Sequence, residues 1–330
     1  MKALKIIGVI ILILIAIFLI VPLFLANQVT ISESTVINAK PVTVFNQVIT
    51  TSNWSNWSPF HKADTAMIAE YTGPTKGIGS TMTWQSKTMG DGSLVVAESK
   101  PYSYIKNNIT FTPDEGGAIG EWTFQPQEDG LLVTWKTTII GLDYPMGRYM
   151  GIMAKTMMKP FMISGLMDLK AVCEALPVPA DISIIEIENV PSLSIMDSTT
   201  VEGIGDMFEK DYQLIMDYMK AKKIEMAGVP YAVYYNWDPS GIIRIRAAIP
   251  VSGVVKGKGN IEFFDLPATK AVFAKHFGGY DTSATHDDIM NYMSDFGIEC
   301  DDYVWEVYVT DPETEPDESK WETDIYYPVK

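Results

Sequence analysis

The residue in this sequence best equipped for chemistry is Glu306, in the run Tyr303-Val-Trp-Glu-Val-Tyr-Val309. A carboxylate set among aromatic side chains can hold a cation by charge while the rings offer their negative faces. The same group can serve as a general base on water, because burial among rings raises a carboxyl pKa towards neutrality. Strand alternation puts Tyr303, Trp305, Val307 and Val309 on one face, and Val304, Glu306, Tyr308 and Thr310 on the other. The first set is expected to pack on helices, which leaves Glu306 and Tyr308 facing a groove. An internal duplication supplies the partner strand: Tyr235-Asn-Trp-Asp238-Pro239 matches Tyr308-Val-Thr-Asp311-Pro312. By that match Val233, Tyr235 and Trp237 project beside Glu306. Tyr280, which follows Gly278 and Gly279, is expected to close one rim of the groove.

Little else in the chain suggests a reactive centre. His61, His276 and His286 are far apart, so no His-x-x-x-His or Glu-x-x-His metal pair exists. Cys173 and Cys300 are too few for a disulfide framework or a cysteine-based zinc site and are expected to be free buried thiols. No Ser-His-Asp or Cys-His set is recoverable. Neither a metal nor another cofactor is therefore expected. In the first half, seven methionines lie between Met146 and Met167. Flexible thioethers adapt to varied apolar ligands, so Met150, Met153 and Met157, with the strand residues Trp84, Trp122 and Trp135, are candidates to line a hydrophobic cavity.

The elements that must position these residues fall into three stretches. Ile6–Ala26 is 21 residues of almost unbroken apolar sequence, enough to cross a hydrocarbon core of about 30 Å. Lys2 and Lys5 precede it and no Lys or Arg follows until Lys40, so the expectation is a single-pass anchor with its N-terminus in the cytoplasm and the remaining domains outside. From residue 28 the pattern is strand, short helix, several turn-separated strands and a long helix over 145–176, which Pro160 should bend or split. Pro177-Val-Pro-Ala180 breaks that helix. Two strand–helix–strand–strand units then follow: 182–190, 204–220, 231–237 and 242–249, and 261–276 (interrupted at Leu266-Pro267), 285–296, 303–310 and 321–327. The expected domains are 1–27, 28–176 and 182–330, with a linker at 177–181, in an α+β fold.

Charge is distributed unevenly. Residues 28–176 carry 11 basic against 13 acidic residues, and residues 177–330 carry 12 against 28. So acidic a surface repels a phosphate backbone, so no nucleic-acid partner is expected.

Two family resemblances follow from the motifs. The stretch with INAKPVTVF, WSNWSPF, TGPTKGIGSTMTW, GLLVTW and GLMDLKAVCEAL resembles the polyketide cyclase and START-like (SRPBCC) superfamily. That implies a helix-grip fold, a curved antiparallel sheet around a long helix with an apolar cavity between. The second half, with GVPYAVYYNWDP, FFDLPATKAVFAKHFGGY and WEVYVTDP followed by TDIYYPV, resembles the gyrase-inhibitor-like, AraC-type effector-binding family. That resemblance implies a duplicated fold for small aromatic or cationic amphiphiles, with an acidic pocket residue where Glu306 stands. Many members of that family sit behind a helix-turn-helix. Here an apolar anchor and a START-like domain stand in that place. The expected function is a membrane-anchored binding protein with two pockets for hydrophobic or cationic small molecules. The alternatives are a hydrolase of reactive xenobiotics using Glu306 as general base, and a lipid or isoprenoid carrier.

Overall fold

The computed structural model describes residues 2–111, 116–237, 240–310 and 315–330. The repeat landmarks Asp238-Pro239 and Asp311-Pro312, with the start of the acidic run 311–320, lie outside the described residues. The chain divides into two compact units, Met1–Val178 and Pro179–Lys330.

The first unit opens with α1 (Lys2–Ile20) and a single 3-10 turn, Val21–Phe24. Leu4–Phe24 has a mean hydropathy of 3.5 over its apolar window and almost none of it is buried. Its 21 residues rise about 30 Å, the length and composition of a membrane span or a signal sequence. Seven strands follow: β1 (Val29–Ile37), β2 (Ile68–Thr72), β3 (Thr81–Gln85), β4 (Gly92–Lys100), β5 (Tyr104–Phe111), β6 (Gly117–Gln127) and β7 (Gly130–Ile140). They form one antiparallel sheet in the order β1-β7-β6-β5-β4-β3-β2. β6 and β7 bury every second side chain, the period-two pattern of strands covered on one face. The cover consists of α2 (Pro41–Ile49), α3 (Trp54–Trp57), α4 (Pro59–Ala63) and the long α5 (Met146–Ala175).

Tryptophans dominate this core. Trp122 and Trp135 are direct cross-strand partners, stacked with ring centroids 4.6 Å apart. Such a pair adds about 0.5–1.5 kcal/mol beyond its burial. Trp54 and Trp57 meet them edge-on. Their indole N–H groups donate to the Val48 and Gln47 carbonyls, so neither polar tip is stranded. α5 is one continuous helix through Pro160, so it is not split there. It approaches the sheet closely at Gly165, where a Cβ would lie 2.7 Å from Pro59 and 3.0 Å from the Trp135 ring. Its buried face also carries Met162, Leu166, Leu169 and Cys173. Burial pushes the Cys173 thiol up to about 12, and both cysteines are free.

The second unit is an eight-stranded antiparallel sheet with two helices. Its elements are β8 (Ile182–Ile187), β9 (Val190–Thr199), α6 (Ile204–Lys222), β10 (Tyr231–Tyr234), β11 (Ile243–Pro250), β12 (Glu262–Leu266), β13 (Thr269–Phe277), α7 (Ser283–Phe296), β14 (Val304–Tyr308) and β15 (Glu322–Pro328). The strand order is β12-β9-β11-β10-β14-β15-β13-β8. A pseudo-twofold axis between β10 and β14 therefore relates β11 to β15, β9 to β13 and β12 to β8. Each edge strand comes from the opposite repeat. The repeat unit thus has two strands before its helix, and β9 is the strand missing from the sequence expectation. Pro191, Ser192 and Ser194 hide it. Both serines are buried, and they hydrogen-bond Tyr231 and Arg246 rather than water. α6 packs over β9 and β11, and α7 over β13. The helix-facing side chains of β10 and β14 consequently lie between the two helices.

Candidate functional site

Glu306 is only 6% exposed. On the central strand pair its direct partner is Ala232, and Trp305 pairs with Val233. Ala232, Tyr234, Val304 and Tyr308 gather with Met207 and Phe208 of α6. Glu306 therefore points to the helix side of the sheet. This corrects the expectation that Trp305 and Val307 pack on helices. Those two lie on the opposite face, with Tyr231, Val233, Tyr235 and Tyr303. Val233 and Tyr235 are thus not neighbours of Glu306. The Tyr-x-x-Asp-Pro landmark set Tyr235 against Tyr308, a slip of one residue that moves a strand's side chains to the wrong face. Tyr234 occupies the position assigned to Tyr235.

Four donors converge on the Glu306 carboxylate. Thr282 Oγ1 donates to Oε1 at 2.9 Å, and His286 Nε2 lies 2.9 Å from the same oxygen. The hydroxyls of Tyr234 and Tyr308 donate to Oε2 at 3.2 and 3.1 Å. The two hydroxyls also lie 2.8 Å from each other. That triangle has three edges and only two hydroxyl protons, so one edge carries no hydrogen bond. On the far side of the imidazole, His286 Nδ1 lies 2.7 Å from the Tyr327 hydroxyl. Thr282 precedes α7 and His286 lies in its first turn, so the positive end of the helix dipole adds to the stabilisation of the anion.

Electrostatics follow from this geometry. Burial pushes the Glu306 carboxyl up, but the His286 hydrogen bond and charge, with the Thr282 and Tyr308 hydroxyls, outweigh it and hold the group below the ordinary carboxylate range. The sequence expectation had the opposite sign, because it counted burial and had no knowledge of the donors. A carboxylate so held is ionised at neutral pH and is a weak proton acceptor. Burial first, then neighbouring charge, raises the Tyr234 and Tyr308 hydroxyls far above their usual range, so both remain neutral donors.

Aromatic rings surround the cluster. Phe208 lies 5.7 Å from Tyr308 between ring centroids, and Tyr280 meets Tyr308 edge-on at 6.1 Å. Trp321 lies 5.1 Å from Tyr280. Trp237 meets Tyr234 edge-on at 6.0 Å. Trp237 and Tyr280 are largely exposed, so they form an outer rim above the buried acid. Gly278, with φ +133°, turns the loop that carries Tyr280. His276 clamps this loop through Thr285 Oγ1 and the Gly279 carbonyl. Of the sequence candidates, the structure brings together Glu306, Tyr308, Trp237 and Tyr280. Sequence reasoning missed Tyr234, Thr282, His286, Phe208, Trp321 and Tyr327. Correct strand parity would have identified Tyr234. No local signal marks His286, which lies between buried Thr285 and exposed Asp287.

The first-unit candidates separate into two sets. Trp122 and Trp135 are in the core, and Trp84 packs against it, its indole N–H donating to the Gly90 carbonyl. Met150, Met153 and Met157 are exposed at 59%, 62% and 63%. They lie on the outer side of α5 and do not line its interior, a correction to the sequence reading. Helical periodicity defines a stripe, but the sheet packs against the opposite side, where Gly151 and Gly165 permit close approach. Beyond the stacked tryptophans, the next row across the same sheet face is Asn107, Gly120 and Thr137. Asn107 Oδ1, Thr137 Oγ1 and Trp122 Nε1 are buried without a partner among the described residues. Among the described residues no three His, Cys, Asp or Glu side chains gather to hold a metal ion.

The profile of the family described as polyketide cyclase / dehydrase and lipid transport matches residues 28–174. That of the GyrI-like small molecule binding domain matches residues 180–330. The chain therefore joins one domain of each kind behind an apolar N-terminal helix. No curated protein matches it. Among solved structures, the EcmrR C-terminal domain is 20% identical with a TM-score of 0.43, covering 46% of this chain and 98% of that one. EcmrR in a DNA complex is 19% identical with a TM-score of 0.44, covering 56% and 70%. SAV2435 bound to tetraphenylphosphonium is 10% identical with a TM-score of 0.36, covering 46% and 94%.

Proposed function

We propose that this chain is a membrane-held small-molecule receptor whose second unit takes a lipophilic organic cation, with Glu306 as the counter-charge. The observation that carries this reading is an ionised, buried carboxylate beneath an aromatic rim. A buried anion gains most from a partner that brings charge and apolar surface together. The chemistry can be narrowed further. A carboxylate has about four lone-pair sites, and Thr282, His286, Tyr234 and Tyr308 occupy them. A ligand therefore needs no N–H to offer. Quaternary or charge-delocalised cations fit better than primary ammonium groups, which would have to displace a donor.

The test is calorimetric titration of the full chain with methyltriphenylphosphonium. Glu306→Gln is expected to weaken binding at least tenfold, about 1.4 kcal/mol, and a triphenylethylammonium of similar bulk to bind more weakly than the phosphonium. Equal affinity of the wild type and Glu306→Gln for the phosphonium, in a variant with unchanged circular dichroism, overturns the reading. Hydrolysis with Glu306 as base draws no support from a carboxyl held below its ordinary range.

For the first unit, the unpartnered atoms of Trp122, Asn107 and Thr137 support a second ligand, apolar with a small hydrogen-bonding head, as a lipid or isoprenoid carrier would hold. Native mass spectrometry of the purified chain is expected to reveal a retained lipid. α1 supplies the membrane attachment in this reading, with Lys2 and Lys5 on the cytoplasmic side and both units outside.

A further inference from the structure

The N-terminal half of α5 is unusual in what it exposes. Met146, Met150, Met153 and Met157 are spaced by four, three and four residues, a single stripe along the helix. Their exposures are 58%, 59%, 62% and 63%. The buried residues Gly151, Met162, Gly165 and Leu166 occupy another side. No described residue of the first unit covers the methionines. The stripe runs about 16 Å at 1.5 Å per residue.

The start of this helix is fastened to the end of α1. Tyr144 OH donates to the Leu19 carbonyl at 2.6 Å, Arg148 Nη1 to the Pro22 carbonyl at 2.7 Å, and Tyr149 OH to the Phe18 carbonyl at 3.2 Å. The Tyr149 ring stacks on Phe18 at 5.4 Å. Phe18 and Leu19 lie five to six residues before the end of the apolar segment at Phe24, about 8 Å along a helix. The two tyrosines therefore tie α5 about 8 Å inside the end of that segment, the depth to which an interfacial helix buries its apolar face. Gly151 packs on Val29, just beyond the segment. From Met146 to Pro160 the charged residues are Arg148, Lys155 and Lys159, all basic, in a chain of net charge −16.

We infer that the Met146–Met157 face of α5 lies on the membrane that α1 enters, with the methionines among acyl chains. An exposed apolar stripe on a helix fastened to a membrane-length segment suits an interfacial position. The α1 contacts bring this one to the surface at no further cost in orientation. The inference rests on α1 being a membrane anchor.

The experiment uses the full chain reconstituted into phosphatidylcholine–phosphatidylglycerol vesicles and exposed to chloramine-T, with each methionine sulfoxide read by peptide mass spectrometry. Met146, Met150, Met153 and Met157 are expected to oxidise at least fivefold more slowly than Met167, which is 64% exposed further along α5. Met150→Glu with Met153→Glu is expected to bring Met146 and Met157 to the Met167 rate, while the chain still floats with the vesicles. Equal rates in a chain that floats overturn the inference and leave the anchor intact. A chain that does not float removes the anchor and the inference together. Protection that follows protein concentration, with disulfide-linked dimers of Met150→Cys, assigns the face to a second copy and also overturns it.

Discussion

Both units place helices against one face of an antiparallel sheet, yet the polar groups on the inner face of their central strands are treated in opposite ways. In the second unit the one deeply buried carboxylate of the central strands has four donors and a helix terminus. In the first unit the polar atoms of Trp122, Asn107 and Thr137 are neutral and have no partner among the described residues. The difference follows from what each group costs when left alone. An isolated buried ion costs several kcal/mol, so Glu306 is stable only with its partners built in. An unpartnered neutral polar group costs about 1–3 kcal/mol, which a fold this rich in stacked tryptophan can absorb. A preorganised charge suits a ligand that brings the opposite charge. An unpartnered polar row suits a ligand that brings a hydrogen bond.

Three changes test that contrast, from the largest expected effect to the smallest. His286→Ala removes a donor from the buried acid and is expected to destabilise the second unit by about 1–3 kcal/mol in chemical denaturation. It should also tighten methyltriphenylphosphonium binding at least threefold, because the anion loses an internal partner that competes with the ligand. Weaker binding would mean that His286 serves the ligand rather than competing with it. Acid should act next. The folded Glu306 carboxyl lies below its unfolded value, so its stabilisation is complete above the ordinary carboxylate pKa near 4.5 and is lost as pH falls through the lower folded value. Glu306→Gln is expected to flatten that part of the stability–pH profile, and an unchanged profile would assign acid sensitivity to other groups. Thr137→Val should have the smallest effect on stability, neutral or stabilising by up to about 1 kcal/mol, since a hydroxyl with no partner is exchanged for a methyl. The same variant should retain less co-purified lipid. Undiminished retention would remove Thr137 from any ligand contact.

Much of the fold was legible in the chain. The apolar segment is defined by length and composition alone, and β6 and β7 alternate as strands in the sequence as they do in burial. Glu306 stood out because a carboxylate in an apolar strand needs a reason. β9 was concealed because its inward serines bond to Tyr231 and Arg246, residues distant in sequence. The methionine stripe was correctly periodic and wrongly oriented. Periodicity finds a stripe without saying what covers it.

The sequence by itself determined which residues share a face of each element, because backbone geometry fixes periods of 2 and 3.6. It left open which of the two faces meets the helices. Alternation reads the same when the faces are exchanged, and a one-residue error in matching repeats put Val233 and Tyr235 on the face of Glu306. Only the tertiary structure decided that α7 brings Thr282 and His286 to Glu306, and that α5 turns Gly151 and Gly165 inward and Met146, Met150, Met153 and Met157 out. Those outcomes depend on contacts between segments far apart in the chain, where close packing and the need to neutralise a buried charge select one arrangement.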